Sequence, residues 1–238
     1  MLNVFISGLT PNSGKTVVTA GLAATMQSLS YSTSVYKPIQ LRAGTELGTR
    51  SSGDLAVVKS FDPNIKTLST YFLSGSCSPF VGAYEDGVKI DLNIIRNEYQ
   101  NVLENSECNI VEGGNSISSP IMEYVTEIDI VKTLRAPLVL IVNPFKSSID
   151  SVISGLEYIK FHRVNFAGII ITQFDENSED LEKKYFPQII QQYSDAKILG
   201  VLPDYCKADV CQAEVISDIL TNINIEELFG VKIAKLNV

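Results

Sequence analysis

Gly8-Leu9-Thr10-Pro11-Asn12-Ser13-Gly14-Lys15-Thr16 is the stretch that decides how this chain is read. It follows a short apolar run, Leu2–Gly8. It leads into Lys15–Ser28, where Val17, Val18, Leu22, Ala23 and Met26 form one apolar face at helical spacing. A strand, a glycine-containing loop and a helix opening at Gly-Lys-Thr make a phosphate cradle. Backbone N–H groups of the loop and first helical turn converge on an anion, and the helix dipole adds a favourable field. In that geometry the Lys15 ammonium reaches the β and γ oxygens of a nucleotide such as ATP, and the Thr16 hydroxyl can ligate Mg²⁺. Paired glycines also make plain turns. The complete strand–loop–helix pattern is much rarer by chance, so the nucleotide reading outweighs the turn.

Outward from the loop, strand and helix patterns alternate. Apolar runs at Ser34–Tyr36, Asn109–Val111, Pro137–Val142, Phe166–Thr172 and Ile198–Leu202 read as strands, Ser34–Tyr36 being ended by Pro38. PLVLIV and FAGIIIT are unbroken, as expected of a parallel sheet covered on both faces. Helices are predicted over Lys15–Ser28, Asp54–Ser60, Leu92–Leu103, Tyr124–Leu134, Ser147–Ile159, Glu179–Tyr193 and Val210–Leu220. Residues 41–53 read as a polar loop. Between 61 and 90 the pattern is weak, with Thr67–Phe72 read as extended and Pro79–Tyr84 as helical. The whole predicts one α/β domain over residues 1–238, a mostly parallel sheet of about seven strands with helices on both faces.

Composition narrows the function. The chain has 238 residues, 45% of them hydrophobic, and a net charge of −8. That charge argues against a nucleic-acid footprint, and phosphates must be met by a few placed cations. Cys77, Cys108, Cys206 and Cys211, with His162 as the single imidazole, make a poor zinc set and read as reduced thiols of a cytoplasmic protein. No apolar stretch approaches the ~20 residues of a membrane helix. The first strand begins almost at Met1, which leaves no room for a signal peptide.

Three further residues fit the phosphate chemistry. Glu112 ends the apolar Ile110-Val111 and precedes Gly113-Gly114, so it falls at the C-terminal edge of a parallel sheet, where ligands bind. Asp54 opens a helix; taken alone it reads as a cap. Lys37, in Tyr36-Lys37-Pro38, ends the second strand on the same edge and could stabilise a γ-phosphate as it moves to an acceptor.

These motifs together resemble the dethiobiotin synthetase family, ATP-dependent carboxylases of biotin synthesis. The family's P-loop with five intervening residues is matched by Gly8–Thr16, its Lys-Pro-Val by Lys37-Pro38-Ile39, its helix aspartate by Asp54, and its Val-Glu-Gly by Val111-Glu112-Gly113. Thr126–Val142 and Ile198–Pro203 are similar to later family segments, so the resemblance spans nearly the whole chain. The resemblance implies ATP, Mg²⁺ and CO₂ acting on 7,8-diaminopelargonate, which becomes a carbamate, is activated by the γ-phosphate and closes to a cyclic urea. It implies Lys15 and Lys37 as catalytic cations and Thr16, Asp54 and Glu112 as metal ligands. Nucleotide contacts would fall on Asn12, Ser13, Gly14, Lys15, Thr16 and Val17, with Thr172, Gln173 and Pro203 towards the base. Acceptor contacts would fall on Leu41, Gly113, Gly114 and Asn115. It further implies a homodimer in which Ile149, Asp150 and Tyr185 reach the neighbouring subunit's substrate.

The chain departs from the family at Leu9, Pro11, Leu41, Asn115, Ser116 and Thr172, where the family carries hydroxyls, glycines or an amide. These departures predict an ATP-dependent enzyme with weakened or shifted use of the diamine. The alternative is a related ligase or ATPase acting on another acceptor, such as the cobyrinate amidases. Partition-type ATPases fit less well, because they carry an early lysine and none lies between Gly8 and Gly14.

Overall fold

The computed structural model describes residues 2–41, 44–46, 49–51, 53–75, 78–205 and 211–232. The chain runs β1 (Leu2–Gly8), α1 (Lys15–Ser28), β2 (Thr33–Gln40), β3 (Gly44–Glu46), β4 (Thr49–Ser51), α2 (Gly53–Phe61) and β5 (Lys66–Phe72). It continues α3 (Pro79–Glu85), α4 (Leu92–Glu104), β6 (Cys108–Glu112), β7 (Pro120–Met122), β8 (Val125–Thr126), α5 (Glu127–Leu134) and β9 (Leu138–Val142). The last elements are α6 (Ile149–His162), β10 (Phe166–Phe174), α7 (Leu181–Lys184), α8 (Phe186–Tyr193), β11 (Ile198–Pro203), α9 (Gln212–Asn222) and α10 (Ile225–Phe229).

Seven strands form one sheet in the order β11-β10-β9-β1-β6-β2-β5, and all its pairings are parallel. β1 lies near the middle, with β9 and β6 on its two sides, so its loop opens between neighbouring strand ends. The period-two alternation of each strand builds two cores. Phe5, Val111, Leu140 and Ile171 face α4, α5, α6 and α8. Val4, Ile6, Ile110 and Ile141 face α1, α2, α9 and α10. α1 is buried along most of its length, so it reads as apolar almost all round. A Cβ on Gly21 would come within 3.0 Å of Val215 and 3.1 Å of Ile219, which shows how closely α9 lies on it.

Four departures from the sequence reading have physical causes. β2 continues through Pro38 to Gln40. Its pairing with β6 stops at Tyr36, so beyond that point the proline lies where one flank of the strand is no longer laddered to β6. The helix expected from Tyr124 begins at Glu127 instead. Thr126 caps it, with the Thr126 N–H donating to Asp129 Oδ2 at 2.9 Å, and Tyr124 turns with φ of 58° between β7 and β8. The helix expected over Glu179–Tyr193 is broken at Tyr185, where Pro187 takes the first turn of α8 and supplies no N–H. The stretch read as a loop contains the antiparallel pair β3–β4. Cys77, Cys206 and Val210 lie outside the described residues. Cys108 is buried, and burial pushes its thiol up to about 12, so it is an inert core group.

Candidate active site

The C-terminal ends of β1, β2 and β6 meet at one place because these strands are neighbours in the sheet. β2, β6 and the neighbouring α2 deliver charged groups there. β6 ends on Glu112, whose backbone pairs with Ile6 of β1. β2 brings Lys37, and α2 brings Asp54 from its first turn. The Lys37 ammonium sits 2.7 Å from Glu112 Oε1 and 2.8 Å from Asp54 Oδ2, and donates to the Gly113 carbonyl at 3.1 Å. Lys37 and Glu112 are 3% and 1% exposed, so this is a buried ion pair rather than a solvated one. Burial alone would lower the lysine pKa; the two carboxylates outweigh it and hold the ammonium above its usual range. Asp54 is half-buried. Burial would raise its pKa, but Lys37 prevails and keeps the carboxyl below the usual range.

The loop itself lies over the start of α1. Gly14 has φ of 91°, a conformation that suits glycine. A Cβ there would meet Thr172 Oγ1 at 3.1 Å. Lys15 Nζ donates to the Asn115 carbonyl at 2.8 Å and to Thr10 O at 3.4 Å. Burial lowers its pKa, with Glu127 and Glu112 opposing the shift. The Thr16 hydroxyl donates to Glu112 Oε1 at 2.9 Å and approaches Asp54 Oδ1 at 3.3 Å. Glu112 Oε2 is buried and has no hydrogen-bond partner. A buried, unpartnered carboxylate oxygen beside a threonine hydroxyl and a second carboxylate is an oxygen donor set that fits a hard cation. Among the described residues no group of three or more histidine, cysteine, aspartate or glutamate side chains could hold a metal. Two carboxylates suffice for Mg²⁺, which also takes substrate phosphates and water.

These residues line a cleft of about 480 Å³, where Asn12, Gly14, Lys15, Thr16, Val17, Lys37, Leu41, Asp54, Glu112, Gly114, Asn115 and Gln173 all appear. A strand–loop–helix phosphate cradle with two lysines and two carboxylates over one parallel sheet edge is the deciding observation. The chain belongs to the AAA domain family, whose pattern matches residues 3–209. Within the AAA domain framework it is similar to the ATP-dependent dethiobiotin synthetase of Bacillus subtilis subsp. natto, 25% identical over 230 residues, 97% of this chain and 98% of that protein. The enzyme of the same name from Bacillus cereus (strain B4264) is 26% identical over 231 residues, 96% of this chain and 93% of its own length. The similarity is thus end to end.

Other candidate residues of this AAA domain lie outside the cleft. Thr172 is buried, and its hydroxyl donates to Ser13 O at 2.7 Å, so it braces the loop from below. Ser13 is itself buried. Gly113 faces away: its N–H donates to Ile6 O at 2.8 Å. Pro203 is exposed at the end of β11. Ile149 packs in the core, Asp150 is exposed on the first turn of α6, and Tyr185 is 49% exposed between α7 and α8.

Two residues escaped the sequence reading. Lys146 lines the cleft from the turn before α6; as one lysine in a polar turn it carries no pattern. Glu127 is buried behind the glycine turn, although in the sequence it looks like an ordinary acidic residue at a helix start. No described helix is long and apolar enough to cross a membrane.

Proposed function

We propose that this chain is an ATP- and Mg²⁺-dependent dethiobiotin synthetase, which carboxylates 7,8-diaminopelargonate and closes the cyclic urea. The observation that carries the reading is the Lys37 ammonium seated between Glu112 and Asp54 beside Lys15 and Thr16. The end-to-end similarity to enzymes of that name supports it.

In this reaction one amine nitrogen bonds to the CO₂ carbon and loses a proton, giving a carbamate. A carbamate oxygen then bonds to the γ-phosphorus and ADP leaves. The second amine attacks the carbamoyl carbon and loses a proton, phosphate leaves, and the ring closes. Lys15 keeps one N–H on the Asn115 carbonyl and turns its others to the β and γ oxygens. Lys37 balances charge on the carbamate and the transferring phosphoryl group. Thr16, Asp54 and Glu112 hold Mg²⁺, which supplies charge neutralisation on the phosphates when bound. Gln173 and Pro203 lie towards the base, with Thr172 bracing the loop. Leu41, Gly114 and Asn115 meet the acceptor. A homodimer brings the α6 start at Ile149 and Asp150, through its backbone, and Tyr185 to the neighbouring subunit's substrate. The setting is the cytoplasm.

A second reading, another acceptor for the same ATP chemistry, is favoured by one observation. Leu41, a buried core residue, is among those lining the cleft. A steady-state assay with ATP, bicarbonate and the diamine decides between them. Dethiobiotin formed one-for-one with ADP is the expected result. Tight ATP binding with no dethiobiotin would overturn the diamine reading and leave the other acceptor.

A further inference from the structure

We propose that Glu127 is a positioning residue for both active-site lysines, acting through the turn that follows Glu112; the idea rests on the ATP-site reading above. Glu127 sits on the first turn of α5 and is 1% exposed. It lies behind the turn, where it shares the lining of a small cavity with Phe5, Ile121 and Ile130, and does not line the cleft. Its Oε2 accepts from the Gly114 N–H at 2.6 Å, and its Oε1 accepts from the Ser7 hydroxyl on β1.

The Gly113 carbonyl, in the same peptide unit as that Gly114 N–H, and the Asn115 carbonyl, two peptide units on, are the ones that hold the lysines. Lys37 donates to Gly113 O, and Lys15 donates to Asn115 O. One carboxyl group therefore fixes the peptide segment on which two ammonium groups from different elements rest. Through Ser7 it ties that segment to the strand that enters the phosphate loop. The seat demands glycine. A Cβ on Gly113 would stand 2.8 Å from Glu127 Cδ, and one on Gly114 would stand 3.2 Å from Oε2. The glycine turn is thus shaped by the carboxyl group beneath it, and the Gly114 N–H is committed to Glu127 rather than to a ligand.

The test compares Glu127→Ala with Glu127→Gln. Glutamine is isosteric: its carbonyl can accept from Gly114, and its amide can donate to Ser7 Oγ. Alanine removes both anchors. Calorimetry with a non-hydrolysable ATP analogue and Mg²⁺, together with steady-state rates, should show Glu127→Ala losing about tenfold in nucleotide affinity and about tenfold in kcat. Glu127→Gln should stay within about threefold of wild type on both, and Ser7→Ala should fall between them. A lower Tm for Glu127→Ala with unchanged affinity and kcat would overturn the proposal, leaving only a structural role. Glu127→Gln as damaged as alanine would overturn it in favour of charge alone. If Glu127→Ala does not fold, Ser7→Ala and Glu127→Gln decide: normal Ser7→Ala behaviour counts against positioning. Wild type failing to bind the analogue would sink the ATP reading itself, a result distinct from any difference between variants.

Discussion

The strand ends at β1, β2 and β6 and those at β9, β10 and β11 belong to the same sheet edge but are built differently. At the first, Lys37, Asp54 and Glu112 from three elements pair with one another, the Thr16 hydroxyl joins both carboxylates, and Lys15 rests on the Asn115 carbonyl beside them. At the second, Thr172 is turned inward under the loop, and Pro203 and Asp150 stand at the surface. The difference teaches that one end of the sheet edge is tied together by charge pairing within one chain, while the other presents exposed groups whose geometry the internal packing constrains less.

Lys37→Met tests the first region most severely. It leaves the buried Glu112 without its ammonium, so unfolding in denaturant should show about 3–5 kcal/mol of lost stability along with lost turnover. A change below about 1 kcal/mol would show that water or another cation replaces the lysine, and that the region is less tightly locked than its distances imply.

Lys15→Ala should cost about a hundredfold in ATP affinity by calorimetry, equal to about 2.7 kcal/mol, because a charge-assisted phosphate contact is lost. Unchanged affinity would remove the phosphate cradle from the argument altogether.

A pH series separates two carboxyl groups with opposite shifts. Asp54 has a depressed pKa, so its contribution is present above the unfolded value of about 3.9 and is lost as pH falls through the folded value. Glu127 is raised by burial, so its contribution declines as pH rises from about 4.3 towards its folded value. Denaturant midpoints against pH should therefore lose their acid-side drop in Asp54→Asn. They should lose the decline above about pH 4.3 in Glu127→Gln. Parallel curves for both variants and wild type would contradict this pairing.

The smallest effect belongs to the second region. Thr172→Val keeps the volume and deletes the hydroxyl that donates to Ser13 O, and should destabilise by about 1 kcal/mol with ATP affinity reduced only a few-fold. A change in preference between ATP and GTP instead would return Thr172 to a base-reading role.

Much of the sheet was legible because unbroken apolar runs such as PLVLIV and FAGIIIT have few alternatives to a covered parallel strand. The element ends were less so. Pro38 and Tyr185 behave as they do because of what pairs with β2 and where α8 begins, and neither fact is local. Asp54 shows the same divide within the site. Alone it is a residue at a helix start; only its 2.8 Å approach to Lys37 joins it to the charged cluster at the strand ends.

The sequence by itself determined the cradle, since Gly14-Lys15-Thr16 between an apolar strand and an apolar-faced helix is a local arrangement set by backbone geometry. It determined Glu112 and Lys37 as candidates, because both lie in the C-terminal half of strands whose direction in a parallel sheet is fixed. Only the tertiary structure decided that Thr172 braces the loop and that Glu127 anchors the turn carrying both lysine contacts. Burial and hydrogen-bond partners more than ten residues apart in the chain follow from strand order and packing, and no spacing in the sequence encodes them.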